Sequence, residues 1–217
     1  MADFNVLDSE ALNHGGVTSQ DTTLAITPAV GDVACVTGGV SAGTGAALSG
    51  GGMTWELEVL VHDVDSDSFL AVFRAASGTP SEGVLTFTSS DNWIDTTYAV
   101  VRPVDLEYTG VAGSDSSEAT VDTMSITLST SSPAGLLGFC HAALANQNMA
   151  EDTANGFAEI GSEIVVAQGR TLQLQEKFGD AAALVIDSQD NTYLLGAVLE
   201  FSAEVEEDTF VAQVITG

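Results

Sequence analysis

The chain has 217 residues, with 31 Asp plus Glu against 4 Lys plus Arg and a formal net charge of -27. Non-specific nucleic-acid binding and adhesion to an anionic membrane both need clustered basic residues, and only Arg74, Arg102, Arg170 and Lys177 exist here. Disorder, the usual companion of such charge, also needs low hydrophobicity, whereas 45% of these residues are apolar, so the chain is expected to fold.

Hydrophobic periodicity predicts strands over 22–27, 32–37 and 54–61. A strand over 69–75 follows, with Phe69, Ala71, Phe73 and Ala75 on one face. Strands at 83–89 and 97–105 come next, then Met124, Ile126 and Leu128 alternating with Ser125, Thr127 and Ser129. Further strands are predicted at 136–143, 164–168, 171–178 and 183–187. From Tyr193 to Val205 apolar residues alternate with Glu200, Ser202 and Glu204, which places those acids on a solvent face, and a last strand is predicted at 209–215. Three stretches read as loops: the glycine-rich 38–52, the Ser/Asp/Gly/Ala segment 109–122, and the polar 146–156. No repeat of 20 to 50 residues and no linker between two cores stands out. Many short strands without an amphipathic helix predict an all-β antiparallel sandwich or barrel rather than a parallel α/β fold.

The imbalance comes from missing bases, since charged residues total only 16% of the chain. Self-repulsion of this size is screened at molar salt, where the Debye length falls to about 3 Å, so the composition predicts a protein of a halophile. A cation-storing or acidic interaction protein is the other reading. The start, Met-Ala-Asp-Phe-Asn-Val-Leu-Asp, has neither the basic nor the apolar region of a signal peptide, and no apolar run approaches a membrane span. The product is expected to stay in the cytoplasm where it is made until the cell opens. Cys35 and Cys140 sit in apolar runs, so buried free thiols are expected, with one long-range disulfide as the alternative.

Three patterns bear on chemistry. Gly39-Val40-Ser41-Ala42-Gly43 matches a nucleophile elbow, but the glycine-rich sequence after it cannot supply the helix that turn requires. His14, His62 and His141 lack any ligand spacing. Asp63-Val64-Asp65-Ser66-Asp67 resembles the start of a calcium loop but carries Ser68 and Arg74 where that loop needs Gly and Glu. Asp63, Asp65 and Asp67 are therefore the candidate metal ligands, for Ca²⁺, Mg²⁺ or Na⁺, against the alternative of a solvated acidic turn. Among 31 acids some pair always meets a glycosidase spacing, so no catalytic residue is nominated and no enzyme is expected. Trp93, Tyr98 and Tyr108 are conceivable sugar platforms, weighed against core or rim positions.

The succession Met53-Thr54-Trp55-Glu56, Phe69-Leu70-Ala71-Val72-Phe73-Arg74, Gly83-Val84-Leu85-Thr86-Phe87-Thr88 and Thr123-Met124-Ser125-Ile126-Thr127-Leu128 resembles the jelly-roll domains of virion appendage proteins in tailed phages and tailed haloarchaeal viruses. The resemblance implies a concanavalin-like sandwich, self-association, contacts with capsid or tail components, and attachment to a host surface glycoprotein or glycan. It carries over no binding residue. The expected organisation is an N-terminal arm at 1–20, a jelly-roll sandwich at 21–205 and a C-terminal strand at 206–217, with both ends available for oligomer contacts. The expected function is a turret or decoration protein of a virion, with a tail fibre, a baseplate part or a carbohydrate-binding module as alternatives. No nucleic acid and no membrane insertion are expected.

Overall fold

Leu136-Leu137-Gly138-Phe139-Cys140 is apolar at successive rather than alternate positions, the pattern of a strand covered on both faces. The computed structural model describes residues 2–12, 16–40, 45–131, 133–143, 149–161, 164–166 and 170–204, and in it all nine residues of Gly135–Ala143 are buried. The described chain is built of strands: β1 Asp3–Leu12, β2 Val17–Asp21, β3 Val33–Val40, β4 Ala46–Gly50, β5 Met53–Asp63, β6 Ser68–Gly78 and β7 Leu85–Val104. Its second half adds β8 Leu106–Ser116, β9 Val121–Thr127, β10 Gly135–Ala143, β11 Ala158–Glu159, β12 Ile164–Val166, β13 Arg170–Phe178 and β14 Ala183–Ala203. All their pairings are antiparallel.

Two main sheets form an antiparallel β-sandwich. The first has the order β1-β7-β3-β6-β5, and the second runs β11-β13-β10-β14-β8 with β12 also on β13. Between them Cys35, Val59, Val61, Leu70 and Val72 pack against Leu137, Phe139, Leu172, Leu174 and Leu195. Each half of the chain builds one sheet, and the two orders correspond strand for strand: β1-β7-β3-β6-β5 with β8-β14-β10-β13-β11/β12. Registers agree too. Cys35 sits opposite Val72 and Ala99, as Phe139 sits opposite Leu174 and Ala197. Phe4 and Tyr108 hold matching edge positions opposite Pro103 and Phe201, and both rings meet Phe201 edge-on, with centroids 5.1 and 5.9 Å away. The sandwich is an internal two-fold repeat.

Long strands cover its outer faces. β7 bends near Asp95 (φ 49°), so its first part pairs with β2 and β4 while its second pairs with β1 and β3. Phe87, Leu85 and Leu48 thereby close over Phe69, Ala71 and Phe73 on the outer side of β6. β14 repeats the device: it carries Gln189 at φ 60°, pairs with β9 before that bend, and lays Leu184 and Ile186 over Leu136, Cys140 and Val198.

Several expectations change in consequence. The 69–75 strand is not half-buried: Ser68 to Phe73 are buried without interruption. Glu200 does not face solvent, because the 128–131 segment lies over it; the residue is 7% exposed and its carboxylate accepts from the Ser131 amide (3.0 Å) and hydroxyl (2.8 Å). Of the supposed loop 38–52, Gly38 and Gly39 belong to β3 and Ala46–Gly50 is β4; of 109–122, the part up to Ser116 belongs to β8. Gly38 and Gly39 are buried, and a Cβ on Gly113 would lie 2.7 Å from the Thr127 carbonyl oxygen, so these glycines answer to packing. In 149–156, Asp152 is 6% exposed and takes hydrogen bonds from Asn155 and the Val185 amide. The segment expected as an N-terminal arm contains β1 and β2, with β1 at a sheet edge, whereas 206–217 lies outside the described residues.

The β4–β5 turn does need its glycines. Gly52 has φ 72°, and a Cβ there would lie 2.1 Å from the Thr79 carbonyl oxygen. Gly52→Ala is expected to cost about 1–3 kcal/mol in urea unfolding at molar salt. Gly83→Ala is the control, because nothing lies within 4 Å of its added methyl.

Candidate functional site

All four basic side chains are used inside the chain. Arg74 bonds Glu58 through Nε and Glu56 through Nη2, both at 2.7 Å. Arg102 grips Asp32 with two bonds of 2.9 and 2.8 Å and also donates to the Thr27 carbonyl. Arg170 is 7% exposed and donates to Ser68 Oγ at 2.6 Å; burial lowers its pKa, while the Asp95 and Asp67 carboxylates hold it up. Lys177 donates to the Asn155 carbonyl at 2.6 Å. Every lysine and arginine is thus engaged within the chain, and the described surface acids outnumber the bases that could meet them.

The Arg102–Asp32 pair is structural. Asp32 is 1% exposed and also accepts from the Ala29 amide, so the pair pins the 22–32 connection against β7. Arg102→Ala strands that carboxylate, with an expected loss of about 2–4 kcal/mol by denaturant titration, softened because Arg102 itself is partly solvated. Arg102→Lys, lacking the planar fork, is expected to recover part of the loss.

Two clefts lie at opposite ends of the seam where β5 faces β8. One, of about 400 Å³, is lined by Val30, Arg74, Asp105, Leu106, Tyr108 and Glu204 among others. Within it the Arg74 guanidinium stands over the Tyr108 ring, 4.8 Å from its centroid, and the Tyr108 hydroxyl donates to Glu58 at 2.8 Å. Burial, and then the Glu58 carboxylate, push the Tyr108 phenol up, which keeps it protonated. The second cleft, of about 270 Å³, is lined by His62, Asp63, Val64, Asp65, Ser116 and Glu118. Val30 and Val64 in the two clefts, and Leu57 and Val111 on the strands between, are exposed apolar side chains. They stand among acids and Arg74, since Glu56, Glu58, Asp65, Asp105 and Glu118 lie along the same seam.

The sequence candidates separate cleanly. Asp63 and Asp65 enter the second cleft, but Asp67 does not; it lies in the field of Arg170. His62, Ser116 and Glu118 join them instead, brought from the end of β5 and from the β8–β9 turn, a neighbourhood that spacing along the chain does not reveal. Among the described residues, no three His, Cys, Asp or Glu side chains form a ready-made metal cage. His141 is fully buried, with Nδ1 3.0 Å from the Thr171 carbonyl oxygen. Cys35 and Cys140 are buried free thiols, both pushed up by burial. Tyr98 is a core residue whose hydroxyl donates to Asp8 at 2.9 Å and accepts from the Thr23 amide at 2.6 Å. Tyr108 has one ring face under Arg74 and meets Phe201, so it is a rim residue rather than an open platform. Ser41, His14 and the Trp93 side chain lie outside the described residues.

No protein-family model matches the chain, no curated protein matches it, and no solved structure matches its fold.

Proposed function

We propose that the chain is a structural virion protein of a tailed virus of a halophilic archaeon, assembled as a homo-oligomeric capsid turret or decoration that takes part in host-surface attachment. A tail fibre or baseplate part is the alternative placement. The jelly-roll form of the sandwich belongs to the same proposal. The observation that supports it is the pair of sheet edges, β5 and β8, which carry Leu57 and Val111 as exposed apolar side chains on an acidic chain. Open sheet edges with exposed apolar side chains can pair with another copy, and at molar salt the charge that would oppose it is screened. Self-association of a two-sheet unit with all its cations internal suits a building block of a shell or spike.

A carbohydrate-binding module is the reading from another class, and the occupied ring face of Tyr108 weighs against it. Light scattering in molar KCl is the test of assembly. The wild type is expected to run as a multimer, and Leu57→Glu with Val111→Glu as a monomer of unchanged circular dichroism. A wild-type monomer that binds a glycan array would support the module and overturn the building block.

A further inference from the structure

The second cleft holds an unbalanced carboxylate. Asp63 continues the inward register of Val59 and Val61 along β5, which aims its side chain between the sheets, and it is 2% exposed. Its Oδ1 is committed to the β5–β6 turn, accepting from the Asp65 amide (3.0 Å), the Ser66 amide (2.9 Å) and the Ser66 hydroxyl (3.1 Å). Its Oδ2 is buried with no hydrogen-bond partner. Asp32, Asp152 and Glu200, by contrast, engage both carboxylate oxygens. A buried, unpaired carboxylate oxygen is costly unless a cation meets it, and none of Arg74, Arg102, Arg170 and Lys177 lines this cleft.

We propose that the cleft between the β5–β6 and β8–β9 turns binds a hard divalent cation of the calcium type, anchored on Asp63 Oδ2. Calcium takes six to eight oxygens and accepts water among them, and about 270 Å³ leaves room for the ion with a partial hydration shell. Asp65 and Glu118, exposed at the rim, supply the other carboxylates, and Ser116 a hydroxyl. Because these groups close on the ion from solvent rather than forming a finished cage, the affinity belongs to the weak class, about 10⁻⁴–10⁻³ M. The ion ties the first sheet to the second, since Asp63 and Asp65 come from one half of the repeat and Ser116 and Glu118 from the other.

The experiment is thermal unfolding of the full chain in molar KCl, with and without CaCl₂ at saturating concentration, ionic strength held constant. The background salt suppresses loose binding to the other acids. Calcium is expected to raise the wild-type melting temperature by about 5 °C. The rise should vanish in Asp63→Asn and shrink in Glu118→Gln, which leaves the turn intact. Each variant is compared with itself, so a lower starting stability does not blur the result; should Asp63→Asn fail to fold, Glu118→Gln with Asp65→Asn takes its place. No wild-type shift, or the same shift in wild type and variants, overturns the site.

Discussion

Transfer from molar KCl to about 0.1 M salt is expected to unfold this protein. The reason lies in how its charges are distributed. The four cations are spent on internal acceptors, and only Asp8, Asp32, Asp63, Asp95, Asp152 and Glu200 among the described acids are buried. The other acids whose side chains are described are at least partly exposed. At about 0.1 M salt the Debye length grows to about 10 Å from about 3 Å at molar salt, so repulsion between surface acids reaches much further. The loss is expected to be on the order of the whole stability of a domain, about 5–15 kcal/mol. Circular dichroism would show the β signal disappear on dialysis and return with salt. An unchanged spectrum and melting temperature would remove the halophilic reading.

Stability should also fall as pH drops from about 6.5 to about 3, with His141 as a main cause. Burial first, and the nearby Arg170 charge second, lower the pKa of this imidazole to about 3. Below about 6.5 the unfolded chain takes up a proton that the folded chain refuses until about 3, so the unfolded state gains at up to about 1.4 kcal/mol per pH unit. Above about 6.5 both states hold the ring neutral and the contribution is complete and constant. His141→Gln keeps a donor for the Thr171 carbonyl without the titration. Subtracting its stability from the wild type across pH removes the carboxylates common to both, and the difference should slope downward only within that window. A flat difference would mean that the ring titrates in the folded chain as it does in the unfolded one.

The chain announced its β character and hid its symmetry. Alternation at Met124, Ile126 and Leu128 was enough to place a strand, because β9 has one covered face. Strands β6, β10 and β14 are covered twice, so their outward residues carry no polar mark, and only the length of the apolar run hints at a second layer. The repeat is invisible for a related reason. Matched positions such as Cys35 and Phe139 share burial and register, and Phe4 and Tyr108 share register, but neither pair shares identity. Glu200 shows the limit of reading a face from alternation, since the 128–131 segment that covers it is distant in sequence. Part of the second cleft was legible, as Asp63 and Asp65 stand two apart in one acidic turn; His62 precedes Asp63 on the same strand, but Ser116 and Glu118 arrive through the stacking of β5 on β8.

The measurement that tests the central proposal most directly is electron microscopy of purified virus particles labelled with an antibody to this chain. Gold is expected at the capsid vertices or over the capsid shell, at a regular number per particle. Label on tail tips would move the protein to the fibre or baseplate. Its absence from every particle, with the protein recovered only in the particle-free fraction, would contradict the account.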